Sequence, residues 1–113
     1  MPRHSLKSRK IIKTLLGSGR RYSAGHIELF YDSGLTEENE DFSVAFLISA
    51  GAGKAAERNR IKRWMREDFR KLQSEKKIEG GFAVRFRGAA AEVDHQTLAG
   101  ELERLYNSIR PDG

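Results

Sequence analysis

The chain has 113 residues, 33% charged and 38% hydrophobic, with a formal net charge of +5 and an isoelectric point near 9.7. It has no cysteine, which excludes a disulfide framework and thiolate metal sites, and no apolar run approaches the roughly 18 residues of a membrane span. The basic N-terminus lacks a signal-peptide block, because Lys10, Lys13 and Gly17 interrupt it. The expectation is therefore one cytoplasmic domain over residues 1–113, with a modest core and flexible ends at 1–5 and 110–113.

In chain order, Leu6 to Leu16 reads as a short helix, with Ile11, Ile12, Leu15 and Leu16 sharing a face and Gly17 and Gly19 ending it. Tyr22 to Tyr31 is strand-like: Ile27, Leu29 and Tyr31 alternate with Glu28 and Phe30. Residues 32–41 form an acidic loop. Phe42 to Ser49, alternating and then apolar throughout, suggests a central strand. After the break "AGAG" a helix runs from Lys54 to about Leu72. Gly80-Gly81 is a stop, and Phe82 to Phe86 is a further strand. A last helix follows Asp94 as N-cap, with Val93 and Leu98 placed as a hydrophobic staple. Its apolar stripe is Leu98, Leu102, Leu105, Tyr106 and Ile109, and Pro111 lies just past its end. The order indicates an α+β sandwich with helices packed on one sheet.

Charge is unevenly placed. Residues 1–22 hold seven Lys/Arg and no acid, and residues 23–53 hold six Asp/Glu and no Lys/Arg. Lys54 to Lys71 holds eight Lys/Arg against three Asp/Glu, a surplus as large as that of the whole chain. At about 100° per residue, Trp64, Met65, Asp68, Phe69 and Leu72 share the face of Ile61 and form a core-facing stripe. Arg58, Lys62, Arg66 and Arg70, spaced by four, form a ridge along one flank; Asn59 and Arg63 fall beside it and Arg60 farther round. Like charges at i,i+4 cost stability, and three acids cannot neutralise eight bases, so a solvated structural helix explains the pattern poorly. A polyanion outside the chain explains it better, and arginine suits phosphate and bases. Nucleic acid and anionic membrane are the two polyanions to consider.

Other motifs carry less. "GAGK" at 51–54 fails as a phosphate loop, since Ile48 and Ala55 stand where Gly and Ser/Thr are needed; it reads as a turn feeding a helix. His4, His26 and His95 have no metal-ligand spacing. Glu37, Glu38, Glu40 and Asp41 read as a solvated loop rather than a cation site. No trio of side chains suggests nucleophilic catalysis, so no catalytic residue is assigned.

The stretch "ERNRIKRWMREDFR", Glu57 to Arg70, resembles the RNR motif of the bacterial ribonuclease P protein subunit. "LKSRKIIKTLLGSGRR", "FSVAFLIS" and "FAVRFRGAAAEVDHQTLAGELERLY" resemble that family's first helix, the strand before the RNR helix and the closing strand, loop and helix. The resemblance covers about 6–109. It implies a four-stranded mixed sheet with three helices, in the order α-β-β-β-α-β-α, with a left-handed βαβ crossover. It also implies a ribonucleoprotein role: binding a catalytic RNA that uses Mg²⁺, held mainly by the RNA, to remove the 5′ leader of precursor tRNA. It places Arg58, Asn59, Arg60, Lys62, Arg63, Arg66 and, along the same ridge, Arg70 at the catalytic RNA. A leader cleft would be lined by Ile12, Leu16 and Phe30. Two family aromatics on the first helix are Ile12 and Leu16 here, so leader contact is expected to be weaker or to rest on Phe30 and Tyr22. Ser49-Ala50-Gly51 stands where the family usually has Ser-Lys-Lys. A ribosomal protein and a protein-only nuclease using the acidic loop and a metal are the alternatives. Metal sites and oligomeric state are not readable from the sequence.

Overall fold

In a computed structural model, which describes residues 4–109, three α-helices pack on a single four-stranded sheet. The helices are α1 (Arg9–Ser18), α2 (Ala55–Lys76) and α3 (His95–Asn107); the strands are β1 (Arg20–Ala24), β2 (Ile27–Asp32), β3 (Phe42–Ile48) and β4 (Gly80–Phe86). Spatial order is β1-β2-β4-β3, with β1/β2 and β2/β4 antiparallel and β3/β4 parallel, so α2 connects two parallel neighbours. None of the helices is long and apolar enough to cross a membrane.

Four local expectations are corrected. The first helix begins at Arg9, not Leu6, because Ser8 Oγ accepts from the Ile11 amide as N-cap while the Leu6 amide is drawn to the Val44 carbonyl of β3. The run Tyr22 to Tyr31 is two strands, folded at a two-residue hairpin turn in which Gly25 takes φ 55°, a conformation costly for other residues. The strand Phe42–Ile48 lies at the sheet edge, and β4 is central. Its apolar run reflects cover from α2 on one face and α1 on the other, not a flank of two strands. Finally, α2 continues past Leu72 to Lys76, where Lys77 (φ 50°) caps it and the buried Gln73 amide donates to the Ile78 carbonyl.

The ends expected to be flexible lie mostly outside the described residues. Residues 1–3 and 110–113, Pro111 among them, lie outside the described residues. His4 and Ser5 are held: the His4 carbonyl accepts from the Val44 amide at 2.8 Å, its ring stacks on Phe42, and Ser5 bridges Val44 along the outer edge of β3.

Cross-strand pairing sorts the side chains onto two faces, because paired residues point the same way. Ile27, Leu29, Val84, Phe82 and Phe86 face α2 and α3, where they meet Ile61, Met65, Phe69, Leu98, Leu102 and Tyr106 in the larger core. Phe30, Ala83 and Ala45 face α1, where Leu6 and Leu15 close a smaller core. Asp94 caps α3 through the Thr97 amide, and Val93 and Leu98 are both buried at its start.

Candidate nucleic-acid interface

The apolar stripe of α2 fixes how its charges are presented. Ile61, Met65, Phe69 and Leu72 are buried, so Lys62, Arg66 and Arg70, one position on from the first three, overhang the outer edge of β3. Across that edge stand the His4–Leu6 segment and Ile12 of α1. Between these walls runs a groove of about 880 Å³, floored by Phe42 and Val44 to Leu47. It continues toward the end of α1, where Leu16, Ile48, Ser49, Arg85 and Arg87 line a shallower extension that shares Lys62, Phe46 and Leu47. The α2 wall is cationic, the opposite wall mixes His4 and Ser5 with the apolar Leu6 and Ile12, and the floor is apolar strand; Asp41 and Glu79 also line the groove. That is a shape for a single strand with charged backbone and flat bases.

The remaining RNR-helix residues diverge. Arg58 Nε donates to the Gly53 carbonyl at 3.1 Å, which pins it to the start of its own helix. Arg60 turns the other way: its guanidinium lies 5.1 Å over the Trp64 ring, with Nη2 at 3.5 Å from the Ala90 carbonyl. Trp64 in turn stacks on His95 (4.9 Å, 4° between planes), and His95 Nε2 lies 3.0 Å from both carboxylate oxygens of Asp68. Asp68, the polar intruder on the stripe, is therefore matched by α3. Asn59 and Arg63 are exposed. The structure thus brings Lys62, Arg66 and Arg70 together and sends Arg58 and Arg60 to separate flanks.

Of the residues expected to line a leader cleft, Ile12 and Leu16 are half-buried along the groove. Tyr22 is not with them. It pairs with Leu29 and so points to the opposite face of the sheet, against the larger core. Phe30 has the correct face but is only 2% exposed, and the Arg85 guanidinium lies 5.2 Å over its ring. It is a core residue with a cation above it rather than an open stacking surface.

A cluster not anticipated from sequence lies beside it. Glu28 is 3% exposed, on the α1 face of β2 and directly opposite Arg85. Arg85 Nε and Nη2 approach Glu28 Oε1 at 2.8 and 2.6 Å; Arg21 Nη2 and Arg87 Nη1 approach Oε2 at 2.8 and 3.5 Å. Burial opposes the carboxylate charge. The hydrogen bond and charge of Arg85, then Arg21 and Arg87, outweigh it and hold the Glu28 carboxyl below its ordinary range. The signal was present in "IELF" and "FAVRF": a charge at an inward strand position requires a partner.

The acidic loop is less solvated than expected. Glu37 Oε2 accepts from the Lys7 and Ser8 amides at 2.9 Å each, and these bonds hold its carboxyl below the usual range. Glu40 Oε1 lies 2.6 Å from His4 Nδ1. His26 meets Glu101, as His95 meets Asp68. Among the described residues no group of three or more His, Asp or Glu could hold a metal ion.

The sequence profile of the ribonuclease P protein family, described as Ribonuclease P, matches residues 1–110. The chain belongs to this family. The ribonuclease P protein component of Caldanaerobacter subterraneus subsp. tengcongensis is 34% identical over 103 residues, covering 88% of this chain and 84% of that protein. That of a Thermoanaerobacter species is 31% identical over 96 residues, covering 82% and 78%. The ribonuclease P protein of Staphylococcus aureus shares the fold, with a TM-score of 0.80 at 18% identity over 99% of this chain and all of the other (100%). The Thermotoga maritima ribonuclease P protein does so at 0.73 and 22%, over 96% and 99%. This chain is a subunit of ribonuclease P, the endoribonuclease of tRNA processing, and its partner is the ribonuclease P RNA. The matches do not favour a ribosomal protein.

Proposed function

We propose that this subunit grips two RNAs with one helix. The exposed Asn59 and Arg63, with Arg58 and Arg60, dock on the catalytic RNA. Lys62, Arg66 and Arg70 follow the phosphates of a precursor-tRNA 5′ leader laid along β3. The observation that carries this reading is the groove itself, with a row of three cations on one wall and the apolar Ile12 and Leu16 along the other. Phosphate charge supplies the missing anion and the apolar surfaces meet the bases. In this reading Mg²⁺ is held by the RNA, which performs the hydrolysis; this chain binds and orients the leader, and no step passes through a metal on the protein.

The test is cleavage of precursor tRNA in Mg²⁺ with and without a bacterial ribonuclease P RNA, at near-physiological salt. Accurate leader removal that requires the RNA, together with tighter holoenzyme binding of precursor than of mature tRNA, is the expected result. Cleavage by the protein alone, or equal binding of the two tRNAs, would overturn the reading.

A further inference from the structure

The Glu28 cluster stands where the shallow end of the groove meets the sheet. Arg85 and Arg87 line that end together with Leu16. The register explains why. Glu28, Arg85 and Leu47 form one cross-strand row, and Phe30, Ala83 and Ala45 form the next, all on the α1 face. The Arg85 guanidinium is fixed from two directions: one edge by Glu28 Oε1 and one face by the Phe30 ring. Its side chain is still 38% exposed. A guanidinium so held presents a flat, rigid surface, and guanidinium planes stack on nucleobases as aromatic rings do.

We infer that Arg85, laid across Phe30 by the buried Glu28, is the stacking surface for an unpaired base of the leader, and that Glu28 is its positioning residue. This rests on the leader reading above and sharpens it. The first-helix places hold Ile12 and Leu16, Phe30 is covered, Tyr22 faces away, and Phe46, half-buried in the floor, is engaged edge-to-face with Phe69 of the larger core, so none of these offers a bare aromatic face to the groove. The cluster is also electrostatically suited to a strand of RNA. Arg21, Arg85 and Arg87 surround one carboxylate, leaving two positive charges uncompensated, and the Arg21 and Arg87 side chains are 59% and 64% exposed. A phosphodiester flanking the stacked base would meet those charges.

The experiment uses the reconstituted holoenzyme and reads the ratio of precursor-tRNA to mature-tRNA affinity. Arg85→Lys keeps the charge and removes the plane. It should lower the ratio about tenfold, as Arg85→Ala does, the size of one lost base stack. Glu28→Gln should lower it by several-fold. In precursors carrying one abasic leader nucleotide each, a single position should erase the difference between wild type and Arg85→Lys. A wild-type ratio above one with Arg85→Lys unchanged would overturn the stacking role while leaving the leader reading intact. A folded Glu28→Gln equal to wild type would overturn the positioning role. A wild-type ratio of one would instead overturn the leader reading itself. Should Glu28→Gln fail to fold, the Arg85 variants and the abasic series decide the stacking role, and a wild-type ratio retained by Glu28→Met, which keeps the volume and loses the carboxylate, would overturn the positioning role.

Discussion

Tyr106 donates its phenolic hydrogen to Gln73 Oε1 in the core, and this bond fastens α3 to the end of α2. The same hydroxyl lies within 3.4 Å of the Ile78 amide, while the Gln73 amide nitrogen donates to the Ile78 carbonyl. One small polar network thus closes the helix that carries Lys62, Arg66 and Arg70. Burial pushes the Tyr106 phenol above its ordinary range, so it stays a donor at any physiological pH. Tyr106→Phe leaves Gln73 Oε1 without this donor in the core and should cost about 1–3 kcal/mol. Chemical denaturation of the two proteins measures it; an unchanged midpoint would show that the network contributes nothing net.

Arg63 is exposed on α2 and Arg60 is held on Trp64, so the two should behave differently. Arg63→Ala should reduce the salt dependence of ribonuclease P RNA binding by about one unit of slope, with the melting temperature unchanged. Titrations at several salt concentrations report the slope. An unaltered slope would remove Arg63 from the phosphate contacts.

Trp64 is half-buried between Arg60 and His95. Trp64→Leu keeps much of the apolar cover but frees the Arg60 guanidinium. RNA affinity should fall about two- to fivefold, the worth of an exposed cation–π contact, while the salt slope stays the same because no charge is lost. A changed slope would mean that the tryptophan contributes by another route.

Phe30 belongs to the core under α1. Phe30→Ala should therefore destabilise the fold by about 3–5 kcal/mol, the range for truncating a buried phenylalanine. Calorimetry checks this. A protein of wild-type stability that has lost only leader affinity would show Phe30 to be an open contact surface instead.

Glu37 caps the segment leading into α1, and its folded-state pKa lies below the ordinary 4.5. A depressed carboxylate contributes stability above its unfolded pKa and loses it as pH falls through the folded value. Wild type should melt higher than Glu37→Gln at pH 7, and the gap should close on acidification below about pH 4. Parallel melting curves at fixed pH would contradict this if the gap widened toward acid.

Much of this protein was legible one residue at a time. The stripe Ile61, Met65, Phe69 and Leu72 follows from helical period alone, as do three of the four ridge residues, Lys62, Arg66 and Arg70; the fourth, Arg58, turns to the Gly53 carbonyl. The Asp94 cap and the buried face of α3 follow from short-range chemistry. Errors arose where a residue's partner lies far along the chain. Leu6 has helical neighbours but pairs with Val44, and Phe42 to Ile48 reads as central although it lies at the edge. The hairpin at Gly25 hid inside a run that alternates well on both sides.

By itself the sequence determined the family, the helix faces and the sign of the partner's charge, because periodicity, composition and the Arg58-Asn59-Arg60 motif are local properties. Which face of the sheet each strand residue occupies was decided only in three dimensions. A strand's alternation is the same whichever face is turned to α1, and the pairing with distant strands breaks that tie. The pairing sends Tyr22 away from the groove, buries Phe30, and sets Glu28 opposite Arg85, whose guanidinium lies over the Phe30 ring.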